Sequence, residues 1–165
     1  MTEPAWLSWA RGQLGVHETP GPASTQRILD YRRIAGVPLG GEDGIVPWCA
    51  IFVNAALAST GHKGSGNGMA RGFLRWGQAL KAPAVGAVTV LSSSRGPTTG
   101  HVALYLGETS THVQLLGGNQ GDAVSIAMFP KAKVLGYRWP TDVPLPAVGA
   151  VAVAAAPPAK PVSDA

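Results

Sequence analysis

The apolar pattern of this chain changes its period once. From Trp6 to Leu80 apolar residues recur mainly three and four positions apart; from Val85 to Trp139 they come in short β-rich runs divided by glycine and polar residues. A spacing of three and four lines one face of a helix, and short runs with period two line a strand. Trp6, Leu7, Ala10 and Leu14 predict a helix over 3–14, with Gly15 free to close it. Ser24 is placed to cap a second helix reaching Ala35, with Ile28, Tyr31 and Ala35 on one face, ended by Gly36 and Pro38. The stretch 47–57 opens on Pro47, suited to a first helical turn, and is apolar all round, so it predicts a buried helix. Met69, Phe73, Trp76 and Leu80 predict a fourth helix. Strands are expected over 85–91, 101–107, 111–116, 123–129 and 134–139, with a polar loop over 92–100. Helices first and strands later predict an α+β domain, its N-terminal helices packed on a mostly antiparallel sheet of about five strands.

A chain of 165 residues suits one domain, and with 45% hydrophobic and 13% charged residues most of it should fold. From Pro144 Ala, Pro and Val dominate the composition, which divides the chain into a domain over 1–143 and a flexible Ala/Pro-rich tail over 144–165. The one cysteine excludes an intrachain disulfide framework. The net charge of +4 suits an anionic partner, but Lys and Arg are scattered with no run of five, which argues against nucleic acid. No stretch reaches the roughly 20 apolar residues that span a bilayer. Residues 1–14 lack the basic start and apolar stretch of a secretory signal, so synthesis in the cytoplasm is expected.

Cys49 stands at the start of the predicted buried helix. Taken alone, a single cysteine reads first as a small buried hydrophobe. A helix start, with its exposed N–H groups and dipole, favours a thiolate. His101 opens a predicted strand just after a polar loop, where a ring can face a cleft. A neutral imidazole that takes the thiol proton, and later returns it to a leaving amine, needs a third group to orient it. Asn119 is the candidate. If the strands at His101 and Thr111 form a hairpin, residues 116–119 come back beside His101. Without that hairpin, Gly117-Gly118-Asn119-Gln120-Gly121-Asp122 is an ordinary polar turn. Cys49 with the scattered His17, His62, His101 and His112 gives no zinc-type spacing, and no phosphate-loop or dinucleotide fingerprint is present. No metal or other cofactor is expected.

Pro47-Trp48-Cys49-Ala50-Ile51-Phe52-Val53-Asn54 resembles the nucleophile helix of the CHAP amidohydrolase/peptidase group of the papain-like superfamily. Gly100-His101-Val102-Ala103-Leu104-Tyr105-Leu106-Gly107 resembles its histidine strand, and Leu115-Leu116-Gly117-Gly118-Asn119-Gln120 and Gly136-Tyr137-Arg138-Trp139-Pro140 its closing strands. Gly15-Val16-His17-Glu18, and Met69-Ala70-Arg71 ahead of Trp76-Gly77, are similar to a subfamily common in phages and prophages. The likeness runs from about Trp6 to Pro140. It departs at Gly86-Ala87, where relatives often carry Gly-Asp.

The resemblance implies a papain-like fold and a peptidoglycan hydrolase, often an endolysin. It implies Cys49 as nucleophile, His101 as general base and Asn119 as the orienting residue. Glu18, Trp48 and Gln120 are the candidates for substrate contact; Glu18 either lines the cleft or fixes a turn. The bond cut is an amide, either N-acetylmuramoyl–L-alanine or one in the stem peptide or cross-bridge. The expected partner is bacterial peptidoglycan and the expected state a monomer, acting on the wall after release through a holin. An injected antibacterial effector with the same chemistry, and a non-catalytic wall-binding or virion module, are the alternatives.

Overall fold

The computed structural model describes residues 3–17, 26–37, 48–94 and 96–154. Three helices, α1 (Ala5–Arg11), α2 (Gln26–Ala35) and α3 (Cys49–Ser59), precede six strands: β1 (Gln78–Leu80), β2 (Val88–Ser93), β3 (Gly96–Glu108), β4 (His112–Gly117), β5 (Ser125–Pro130) and β6 (Val134–Trp139). The strands form one sheet in the order β1-β6-β2-β3-β4-β5, with every neighbouring pair antiparallel. The fold is α+β, as the change of period predicts. The sheet has six strands rather than five. No helix among the described residues is long and apolar enough to cross a membrane.

The sixth strand comes from the segment expected to be a fourth helix. Residues Ala70–Arg75 form only a 3-10 turn, and Gln78–Leu80 then pairs with Tyr137–Trp139. Gly77 adopts φ 64° between them. A Cβ there would also stand 2.4 Å from the Trp139 carbonyl oxygen, so only glycine lets the chain turn into the sheet at this point. Ala70 and Phe73 are buried, so the apolar spacing is real, but it anchors one turn rather than a helix.

Every residue of α3 from Cys49 to Leu57 is buried, which is why its sequence is apolar on all sides. An aromatic group seats it. Tyr31 of α2 stacks on Trp48 at 6.3 Å and meets Phe52 edge-on at 5.3 Å, while Trp9 of α1 lies 5.8 Å from Phe52. Such pairs contribute roughly 0.5–1.5 kcal/mol each beyond area burial. Tyr31 Oη and Arg27 Nε both donate to Gln13 Oε1, at 2.8 Å each, which ties α2 to the end of α1. Burial, only partly offset by Arg27, pushes the Tyr31 hydroxyl up to about 12, so it stays a donor at all ordinary pH.

The Ala/Pro-rich segment, expected as a tail outside the core, is mostly exposed through Ala154 yet runs against the domain. Trp139 Nε1 donates to the Pro144 carbonyl at 3.0 Å, and Gly149 N to Pro83 O at 2.7 Å. Glu108 N donates to Val151 O at 2.6 Å and Glu108 O accepts from Val153 N at 3.0 Å, forming a parallel bridge to Ala152. Gly107 makes room for this contact, since a Cβ there would lie 2.3 Å from Val153 Cγ1.

Glu108 also anchors the segment through its side chain. Its carboxylate pairs with Lys131 and accepts from Tyr105 Oη at 2.8 Å; Tyr105 Oη in turn accepts from Val151 N at 3.2 Å. Burial alone would raise the carboxyl's pKa, but the hydrogen bonds from Lys131 and Tyr105 and the Lys131 charge outweigh it and hold it below the ordinary value. A depressed folded-state pKa stabilises above the unfolded value and is lost as pH falls through the folded one. The Val151 and Val153 amide resonances are therefore expected to shift toward random-coil positions as pH falls below the ordinary carboxyl range. Glu108→Gln should weaken the anchor at neutral pH and remove that acid step. Identical titrations of the two proteins would exclude Glu108 as the anchor.

Candidate active site

Cys49 is the first residue of α3 and is fully buried. Trp48, at the N-cap, has φ −124° and ψ 16° and supplies no capping side-chain hydrogen bond. The turn after β4 abuts this helix start. A Cβ on Gly118 would stand 2.6 Å from the Trp48 ring and 2.7 Å from Phe52 Cβ, so only glycine permits the approach.

His101 lies on β3 opposite Leu91 of β2, is 2% exposed, and has the Phe129 ring of β5 tilted beside it at 5.2 Å. β3 and β4 form the expected antiparallel hairpin, with Leu104 opposite Leu116 and Tyr105 opposite Leu115. The end of β4 thus returns beside His101. Gln120 meets the ring there: its Oε1 lies 2.9 Å from His101 Nε2.

The Gln120 amide can face only one way. Its Nε2 donates to two backbone carbonyls, Leu115 O at 3.3 Å and Ser125 O at 2.8 Å. Flipping the amide would set Oε1 against both carbonyl oxygens and lose both bonds. The atom facing His101 is therefore an acceptor, so Nε2 of the ring must carry the proton. In the neutral ring that leaves the basic lone pair on Nδ1.

The turn presenting Gln120 is pinned on both sides. Gln120 N donates to Ala123 O at 2.9 Å, and Ser125 Oγ to Gln120 O at 2.8 Å. Gly15 N and Val16 O pair with Val124, and His17 bridges Ala123, so the segment after α1 backs the same turn. Asn119, Gly121 and Asp122 take φ 59°, 66° and 60°. Asn, Gly and Asp are the residues that best tolerate this left-handed region, so the residue types follow from the backbone.

Of the site residues expected from sequence, Gln120 and His101 are joined directly by their hydrogen bond, and Trp48, next to Cys49 at the start of α3, packs against Gly118 of the same turn that carries Asn119 and Gln120. Trp48 and Gln120, expected to touch substrate, are 0% and 3% exposed and serve packing and the His101 ring. Glu18 lies outside the described residues, as do 39–46 and Pro47. His62 pairs with Asp142 at 3.0 Å, and His112 Nδ1 lies 2.8 Å from Thr111 Oγ1. Among the described residues no group of three or more His, Cys, Asp or Glu side chains is placed to hold a metal ion.

A cavity of about 750 Å³ lies elsewhere, between the start of α1 and the 144–154 segment, lined by Trp6, His62, Trp139 and Pro146 among others. It contains neither Cys49 nor His101 nor Gln120, so its size carries no argument about their chemistry. Comparison of the chain with family models, with curated proteins and with solved structures gives no match.

Proposed function

We propose that this domain is a papain-like thiol hydrolase that cleaves an amide bond in the peptide part of bacterial peptidoglycan, as a phage or prophage endolysin does. The observation that carries the reading is the His101–Gln120 hydrogen bond at 2.9 Å. It fixes the tautomer and plane of a buried imidazole, a device expected of a catalytic base. Cys49 is the nucleophile, His101 the base through Nδ1, and Gln120 the orienting residue. Asn119 shapes the turn that presents Gln120. The choice of substrate rests on the sequence resemblance, supported by the positive charge, which suits an anionic wall.

In the mechanism His101 Nδ1 takes the Cys49 thiol proton, and the thiolate attacks the carbonyl carbon. The oxyanion is met by backbone N–H groups at the start of α3. Collapse of this adduct breaks the C–N bond; the imidazolium returns its proton to the departing amine and a thioester remains. His101 then deprotonates water, which attacks the thioester, releases a carboxylate and restores the thiol.

The test of this chemistry is iodoacetamide alkylation of Cys49 as a function of pH. Burial slows the reaction at every pH, so the informative quantity is the pH at which the rate rises rather than the rate itself. The reading expects the rise well below the ordinary thiol value of about 8.5, and a move toward that value in His101→Ala. A rise at about 8.5 in both proteins would make Cys49 an ordinary core thiol.

A further inference from the structure

We propose that Arg71 is a positioning residue for His101: it clamps the backbone bulge from which the His101 strand departs. This inference rests on the reading of His101 as the base.

The hairpin between β2 and β3 is irregular just before His101. Ser92 pairs with Gly100 but Ser93 with Gly96, so Pro97, Thr98 and Thr99 have no partner on β2. A bulge of this kind re-aims the side chains that follow it and leaves backbone groups outside the ladder. The Thr99 carbonyl is one of these, and Arg71 Nε donates to it. The Arg71 stem also lies where a side chain at position 100 would stand: a Cβ on Gly100 would be 3.2 Å from Arg71 Cγ and 2.6 Å from Leu91 O. Neighbouring strand residues point to opposite faces, so Arg71 braces the strand from the face opposite the His101 ring. It acts on the ring through the backbone.

Arg71 is itself fixed from α3. Asn54, buried at 1%, takes Ser65 N on Oδ1 at 2.7 Å and gives Nδ2 to Ala50 O and Asn67 O at 3.0 and 3.1 Å. Asn67 Oδ1 accepts from Met69 N at 2.6 Å, at the entry to the turn that carries Arg71. A continuous line of bonds thus joins the helix of Cys49 to the strand of His101. The bulge alone would leave that strand's start free to shift. A displacement of about 1 Å at a reacting group can cost a hundredfold in rate.

The experiment follows the His101 ring proton on Nε2 by NMR in the whole chain, comparing the native protein with Arg71→Met, which keeps the stem and removes the donor, and with Arg71→Lys. Spectra are taken well below each protein's melting temperature. The native protein is expected to show a protected Nε2 proton. Arg71→Met should exchange it at least about tenfold faster while the β4 and β5 amides keep their protection; Arg71→Lys should fall between. Unchanged ring-proton exchange in Arg71→Met, or a loss of protection spread evenly over the sheet, would overturn the proposal. This readout does not depend on cleavage. Failure of the hydrolase reading would instead show as a native protein that cuts no amide bond while the ring-proton result stands.

Discussion

Gln120→Leu is expected to cut the rate of amide cleavage by at least about a hundredfold, at a temperature where the variant remains folded. Loss of the group that orients a catalytic histidine has cost as much as about 10⁴-fold in the Ser-His-Asp case. Leucine is one atom shorter and apolar, so it neither accepts from His101 Nε2 nor donates to Leu115 O and Ser125 O. It leaves up to three buried polar groups without their present partner. Each group left unsatisfied costs roughly 1–3 kcal/mol, so a fall in melting temperature is expected as well. Gln120→Glu separates the two effects. It holds the ring in place and stabilises the imidazolium, but sets a carboxylate against two carbonyl oxygens. The pH–rate profile should then move to higher pH even where stability falls. Measured rates for folded Gln120→Leu within about threefold of the native protein would make Asn119, or no side chain, the orienting group.

How much of this was readable from sequence depends on where the physics is local. Apolar residues at helical spacing located α2, and a stretch apolar on all sides located α3, because Ile28, Tyr31 and the whole run from Cys49 to Leu57 do face the core. The same signal misled at Met69–Leu80. There Gly77, held against the Trp139 carbonyl, turns the chain into a strand whose partner is some sixty residues away. The hairpin that returns β4 to His101 followed from strand order and turn composition. That the Gln120 amide bonds the ring did not. That depends on the backbone of the turn: Asn119 occupies a left-handed position, and Gln120 is held between two carbonyls and the ring. Arg71 and Asn54 were legible as motif members but not in role. A polar residue inside an otherwise apolar helix was the available hint for Asn54, since a buried amide demands partners. The contact of 144–154 with Glu108 left one trace, Gly107, where no side chain fits.

Cys49→Ala is expected to abolish cleavage, with a loss on the order of 10⁶ in kcat, the scale seen when a nucleophile is removed from a triad. The fold should survive. Cys49 lies in the core at the start of a helix held by Trp48, Phe52 and Tyr31, and replacing a thiol with a methyl should cost about 1 kcal/mol. Alanine also keeps the helix, having the highest propensity. Loss of activity with retained melting behaviour would place the effect in chemistry rather than folding. The alternative of a silent wall-binding module predicts that native and variant proteins bind sacculi equally and that neither cuts.

The most direct measurement is digestion of purified peptidoglycan sacculi from several bacteria by native protein and by Cys49→Ala, with the soluble fragments weighed by mass spectrometry. The account predicts fragments carrying a new amine end and a new carboxylate end from the native protein, their masses identifying the amide bond, and none from Cys49→Ala. Equal release by the two proteins would contradict it, because the chemistry would then lie away from Cys49.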